Sequence, residues 1–305
     1  MPRLIHGLAD LAEGFDVVLC DVWGVLHNGA IVFAKAVDAL RRFRLQGGKA
    51  GTGGAVVLIT NSPNPSRFVR AHLDRLGAPG DAYDAIISSG DVTASLLIER
   101  AGARLLHIGP PDETALFDEV LALTGKAPRL ASIEDADYVL CTGLTDPWRE
   151  TPADYDARLA RMHARGLDLI CANPDIVVQD GGALAYCAGA IAERYAEAGG
   201  RVIQAGKPFP PIYERALALA SGLRGGALDR TRVLAVGDAM RTDIKGACDQ
   251  DLSSLFVTSG IHREELHRKT PEGAVADAAL DAAALRQFTQ AAGFSPTAAI
   301  PELVW

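Results

Sequence analysis

Residues 15–29 read FDVVLCDVWGVLHNG. Val17-Val18-Leu19-Cys20 is a short, unbroken run of apolar and β-favouring residues, the pattern of a strand buried on both faces in a parallel sheet. The run stops on a carboxylate, Asp21, and a glycine, Gly24, follows shortly after. In open α/β sheets reactive groups collect at the carboxyl ends of strands, which would set Asp21 at the mouth of a site. An aspartate that merely opens a turn after a strand gives the same local text, and residues 15–29 do not choose between the two.

Two more runs repeat the pattern. Residues 55–59 (AVVLI) end on Thr60-Asn61-Ser62, and residues 232–236 (RVLAV) end on Gly237-Asp238, with Asp243 five positions further on. A lone lysine stands in Gly206-Lys207-Pro208, after the β-like residues 201–204. Aspartate, threonine, lysine and an aspartate pair, each at or near a strand end, resemble in their order the motifs of the haloacid dehalogenase (HAD) superfamily. The finer text is similar to class IIA, the NagD-like phosphatases, in the form with D-x-W-G-V in the first motif. The phrases that carry this are DVWGVLHNG, TNS, ISSGDVTASLL, ANPD, AGAIAERYAEAGG, GKPFPPIY and VGDAMRTDIKGA, spread from about residue 6 to 262. The resemblance implies a Rossmann-like, doubly wound parallel-sheet α/β core. Residues 1–101 and 202–305 would form that core, and residues 102–201 an inserted α/β cap of the C2 type.

Composition narrows the partners. The chain has 305 residues, of which 49% are apolar and 22% charged, the profile of a folded protein of about two domains. A net charge of −8 argues against nucleic acid or an anionic membrane as the main partner. Arg41-Arg42-Phe43-Arg44 is the most basic spot and reads as a solvated helix face. Five cysteines without Cys-x-x-Cys spacing indicate neither a disulfide framework nor a zinc site. No signal-like leader and no run of 18 apolar residues is seen, so a cytoplasmic location is expected. A homodimer is compatible with all of this.

Along the chain the pattern predicts an amphipathic helix over 4–14, helices over 35–45 and 67–76 (the latter capped by Ser62 or Asn64), and a strand over 85–89. Asp91 should cap a helix over 93–100. The insert should alternate strands at 104–108, 138–141 and 168–171 with helices at 113–124, 153–164 and 189–198. The core should resume with a helix over 212–220, a helix over 243–248, a strand at 255–257 and a tail helix over 281–292. The glycine-rich residues 46–54 contain a G-x-G but lack the strand–turn–helix context of a dinucleotide fingerprint.

The resemblance assigns chemistry residue by residue. Asp21 would be the nucleophile, forming an aspartyl-phosphate. Several carboxylates beside a phosphate need a cation, and Mg²⁺ suits oxygen ligands. Asp21 and Asp238 would be direct ligands, with the backbone carbonyl of Trp23 a third. Asp243 would hold a metal-bound water or orient Lys207. On a regular helix Asp238 and Asp243 would diverge by about 140°. They can converge only if Asp238 sits in the loop and Asp243 starts the helix. Thr60 and the amides of Asn61 and Trp23 would bind phosphate, and Lys207 would balance charge. The loop after Asn173-Pro174-Asp175, to about Gly182, would select the substrate. Each residue has a plainer role open to it: Thr60 ending a strand, Asp243 capping a helix, Lys207 lying at the surface.

Trp23 departs from the superfamily pattern, which carries there an aspartate that acts as general acid and base. An indole cannot accept that proton, and such help is typically worth about 10²–10⁴-fold. His27 could donate a proton or be a structural residue of the loop. The expectation is a Mg²⁺-dependent hydrolase of a small phosphorylated metabolite. A different phospho- or phosphono-transfer enzyme, or a catalytically weak phosphate-ligand binding protein, are the competing readings.

Overall fold

The computed structural model describes residues 2–180, 183–268 and 279–305. The fold is α/β, and the chain forms two compact units. One comprises Met1–Ile59, His72–Ile86 and Tyr213–Trp305, the other Thr60–Ala71 and Ile87–Ile212.

The first unit is built on a seven-stranded sheet. Its spatial order is Arg3–Leu4, Ala298–Ile300, Ser253–Val257, Val233–Gly237, Val17–Cys20, Ala55–Thr60 and Ala85–Ser88. The ladders joining the first six strands are parallel. Val17, Val18, Leu19 and Cys20 are all fully buried, as a central strand with both faces covered requires. From Val17–Cys20 the chain winds outward through Ala55–Thr60 to Ala85–Ser88. From Val233–Gly237 it winds the other way, to Ala298–Ile300. The two halves meet where Cys20 lies opposite Val236. That junction is the topological switch point at which open α/β sheets bind ligands.

Helix Ala34–Gln46 turns Ala36, Val37, Ala39, Leu40 and Phe43 inward, close to the expected span. Residues 4–14 do not form the expected helix. Leu4, Leu8 and Leu11 have helical spacing, but Gly7 is extended (φ −161°, ψ 162°), and the segment becomes a strand at Arg3–Leu4 and two 3₁₀ turns. The tail helix is Ala282–Ala292, and the Asp281 side chain accepts the amides of Ala283 and Ala284. Its Leu285 packs with Met240, Ile244, Phe256, Leu266 and Ala299. Beyond it, Ala298–Ile300 enters the sheet as an internal strand, which the apolar pattern of so short a segment did not reveal.

The second unit holds a five-stranded parallel sheet, ordered Val202–Gln204, Leu169–Cys171, Tyr138–Cys141, Arg104–Ile108 and Arg129–Leu130. Alternate residues of Tyr138–Cys141 face opposite ways. Val139 and Cys141 join Leu159, Met162, Ile191 and Tyr195, while Tyr138 and Leu140 join Leu97, Leu116, Val120 and Ile170. The helices are Ser89–Glu99, Ala115–Thr124, Asp156–Ala164 and Ala188–Glu197. Asp91 is not the cap of its helix. Ser88 is the N-cap and Asp91 completes a capping box from the first turn. The preceding helix begins at Ser66, two residues beyond Asn64 and four beyond Ser62. Asp91 accepts the amide and hydroxyl of Ser66 (2.9 and 3.0 Å) at that helix start. Part of the expected selector loop is an antiparallel hairpin, Val177–Asp180 with Ala183–Tyr186. The end of that loop, residues 181–182, lies outside the described residues. Among the described residues no helix is long and apolar enough to cross a membrane.

Candidate active site

In the first unit, Asp21 leaves the end of Val17–Cys20 and Asp238 the end of Val233–Gly237, so the neighbouring strands at the switch point deliver both. The Asp21 amide donates to the Val236 carbonyl (2.8 Å), extending the ladder to the functional residue itself. Asp243 comes back to them through a single π-helical turn, Met240–Ile244. Its Oδ2 accepts the Ala239 amide (3.0 Å). Asp238 therefore precedes the helix and Asp243 sits in its first turn, the one arrangement in which residues five apart converge. Asp21, Asp238 and Asp243 are all buried, and each offers a carboxylate oxygen within 4.8 Å of the others. Three such groups strongly disfavour one another's charge unless a cation sits among them. An all-carboxylate set of hard oxygen donors suits Mg²⁺ or Ca²⁺.

The Asp238 carboxylate is seated by backbone. The Ile261 amide donates to Asp238 Oδ2 (2.8 Å). Two glycines make room. A Cβ on Gly24, whose φ is +84°, would stand 2.0 Å from Oδ2, and one on Gly260 would stand 1.9 Å from it. Gly24, Gly260 and Ile261 were not singled out as site residues. The signal was a glycine just past the strand Ser253–Val257, level with the other strand ends.

Trp23 and His27 form an edge-on ring pair with centroids 5.0 Å apart, and His27 meets His72 at 5.6 Å in the same way. His27 Nδ1 accepts the Gly29 amide (2.9 Å), which leaves the ring proton on Nε2. Burial, and after it the neighbouring His72, push the His27 pKa down to about 4. The imidazole is neutral near pH 7, and His27 is a buried packing residue of the loop rather than a stored proton.

In the second unit four of the expected phosphate-binding residues, Asn61, Asn173, Asp175 and Lys207, share one network. Asn61 is its hub: Nδ2 donates to Asp175 Oδ1 (2.9 Å) and to the Lys207 carbonyl (3.2 Å), while Oδ1 accepts the Lys207 amide (2.7 Å). Asn173 Oδ1 accepts the Asp175 amide (3.1 Å). Thr60 Oγ1 accepts the Ser62 amide (3.2 Å), fixing the turn that follows the strand. Thr60, Asn61 and Lys207 are buried, so Lys207 is not a surface lysine.

The family model described as haloacid dehalogenase-like hydrolase matches residues 18–121, and a HAD-hydrolase-like model matches 204–282. A solved haloacid dehalogenase-like hydrolase from Brucella suis 1330 is 41% identical, with 99% of this chain and all of that one covered at a TM-score of 0.81. D-glycerol 3-phosphate phosphatase of Mycobacterium tuberculosis is 28% identical over 84% of this chain. The match spans 66% of that relative, just under two thirds of its length. Ribonucleotide monophosphatase NagD of Escherichia coli K12 is 27% identical over 80% of this chain and 88% of its own. A solved M. tuberculosis glycerol phosphate phosphatase, in complex with magnesium, is 29% identical, covering 82% of this chain and 70% of that one at a TM-score of 0.60. The chain belongs to the haloacid dehalogenase-like hydrolases. Within them it is similar to the NagD-like type.

Proposed function

We propose that this protein is a Mg²⁺-dependent phosphoric monoester hydrolase that acts on a small phosphorylated metabolite in the cytoplasm through an aspartyl-phosphate. The observation that carries this reading is the convergence of Asp21, Asp238 and Asp243, buried, at the switch point of a doubly wound sheet. Those three carboxylates, with the Trp23 carbonyl, would hold the cation, which when bound neutralises charge on the phosphoryl oxygens. Thr60 and the Asn61 amide would hold the phosphate, and Lys207 would balance its charge. The Asp21 carboxylate attacks phosphorus, the P–O bond to the leaving group breaks, and the leaving oxygen takes up a proton. Water then cleaves the aspartyl-phosphate, releasing phosphate and restoring Asp21.

Trp23 supplies no carboxylate for either proton transfer, and His27, neutral and bonded through Nδ1, is no substitute base. The second step is therefore the slow one, and transfer to an acceptor other than water is the second reading that Trp23 favours. Incubation with 4-nitrophenyl phosphate and Mg²⁺ tests the proposal. Nitrophenol release that EDTA stops, together with a phosphoenzyme trapped in acid, is expected. No release and no trapped phosphoenzyme in a folded, Mg²⁺-loaded protein would sink it in favour of a phosphate-ligand binding protein.

A further inference from the structure

In the first unit, Asp238 and Asp243 stand on one short piece of backbone. Asp238 follows the strand Val233–Gly237, and the π-helical turn Met240–Ile244 brings Asp243 back to it. A helix leaves its first backbone N–H groups without partners of its own. The Ala239 amide is taken by Asp243 Oδ2 (3.0 Å), a carboxylate of the site itself. The Met240 amide is taken by His262 Nε2 (3.3 Å), a side chain to which the proposed reaction gives no role. π-Turns are rare and gather at functional sites. This one takes the bond at its first amide from a residue 22 positions away.

Three consecutive residues clasp the piece from one side. Gly260 leaves room for the Asp238 carboxylate, the Ile261 amide donates to Asp238 Oδ2 (2.8 Å), and the His262 ring accepts the Met240 amide. The ring's two partners fix its hydrogen. Met240 N–H is a donor, so Nε2 presents its lone pair. Nδ1 lies 2.6 Å from Glu265 Oε2, and an ionised carboxylate only accepts. Nδ1 therefore carries the hydrogen, and a neutral ring meets both demands in this tautomer alone. The other tautomer would set one N–H against another at Met240.

The ring plane is held as well. Its centroid lies 4.7 Å from that of Phe288 and 6.1 Å from that of Phe256, and the two phenyl rings are parallel to each other. Phe288 belongs to the tail helix Ala282–Ala292. The His262 side chain is 19% exposed and that of Glu265 57%. The imidazole is thus gripped from within, while its tautomer is set from the surface.

We propose that His262 is a positioning residue for the metal site. Through the Met240 amide it holds the turn that returns Asp243 to Asp238, and Glu265 keeps the Nε2 lone pair turned toward that amide. The role rests on the metal-binding part of the proposed function. It also gives the tail helix a share in the site, through Phe288 against the ring.

Mg²⁺ is titrated calorimetrically into the full chain and its variants, with circular dichroism as the check of folding. His262→Ala should weaken Mg²⁺ binding about tenfold, the lower end of what losing a residue behind a metal ligand typically costs. His262→Gln, whose amide oxygen can accept the same N–H, should recover most of that loss. Glu265→Ala should weaken binding by a smaller factor, and more than Glu265→Gln, which loses the charge but keeps an acceptor. The exposed Glu265 carries the test should His262→Ala fail to fold. Heteronuclear NMR of the histidine rings reads the tautomer: Nδ1 of His262 should be protonated and Nε2 bare in wild type, and Glu265→Ala should lose that preference. A role in packing alone predicts neither the rescue nor the tautomer. Wild-type Mg²⁺ affinity in folded His262→Ala, or a wild-type His262 with its hydrogen on Nε2, overturns the proposal. Equal losses in the two Glu265 variants would trace the effect to charge and overturn the part given to Glu265. Should wild type bind no Mg²⁺, the metal reading itself has failed and this role falls with it.

Discussion

Replacing Gly260 by alanine tests whether backbone, rather than neighbouring side chains, seats the metal-binding carboxylate. The new Cβ would stand 1.9 Å from Asp238 Oδ2 and 2.3 Å from Asp238 Cβ. To reach ordinary contact the carboxylate would have to retreat by about 1.5 Å, whereas Mg²⁺ demands near-ideal octahedral geometry at about 2.0–2.1 Å. The retreat also breaks the 2.8 Å bond from the Ile261 amide. A hydrogen bond to a charged group is worth about 1.5–3 kcal/mol, so Mg²⁺ affinity should drop by roughly 10–100-fold. Isothermal calorimetry of Mg²⁺ into the full chain measures the loss, with circular dichroism confirming that the variant is folded. Wild-type Mg²⁺ affinity in folded Gly260→Ala would refute both the seat described for Asp238 and its role as a direct ligand.

Asp21→Asn should abolish turnover and the acid-trapped phosphoenzyme while keeping the fold, and retained turnover would exclude Asp21 as nucleophile. With 4-nitrophenyl phosphate the wild type should show a burst of nitrophenol followed by a slow steady rate. Trp23→Asp should shrink the burst and raise the steady rate, and a folded variant with no gain would place the base elsewhere in the chain. Saturating Mg²⁺ at 100 times its Kd should stabilise the protein by about 2.7 kcal/mol, so a melting temperature indifferent to EDTA would contradict the carboxylate site. Asp16 binds Arg232 through both oxygens (2.6 and 2.8 Å), and that guanidinium lowers its pKa. The pair's contribution is present above the unfolded carboxyl pKa and is lost as pH falls through the lower folded value. Asp16→Asn should therefore cost on the order of 1 kcal/mol at neutral pH and flatten that acid limb in urea titrations. An unchanged acid limb would show that the pair contributes nothing.

The sequence made the central strands and their terminal aspartates legible because a doubly buried strand leaves a continuous apolar run that stops at the sheet edge. Val17–Cys20 and Val233–Gly237 are such runs, and the bend that brings Asp243 back to Asp238 followed from helix geometry alone. Two-residue strands such as Arg3–Leu4 and Arg129–Leu130 are too short to show a period of two. At residues 4–14 leucines spaced like a helix misled, because the backbone is extended at Gly7, where a Cβ would stand 2.3 Å from the Trp305 carbonyl oxygen. The pairing of Val177–Asp180 with Ala183–Tyr186 joins two four-residue strands, too short for a period of two to mark them. The seat of Asp238 was hidden for another reason. Gly260 and Ile261 act through a close approach and a backbone amide, and neither leaves a chemical signature in the side-chain text.

The place of Ala298–Ile300 in the sheet has a consequence for the chain as it is made. Val17–Cys20 can pair early with Ala55–Thr60, but its other edge must wait for Val233–Gly237. At about 5–20 residues per second that wait is on the order of 10–40 s. Arg3–Leu4 waits longer still, since its sheet neighbour, Ala298–Ile300, lies further along the chain again. An apolar strand with one open edge is a template for wrong pairing throughout that interval. The nascent protein is thus most exposed to aggregation before the Asp21 and Asp238 strands meet, and closing that edge also creates the metal site.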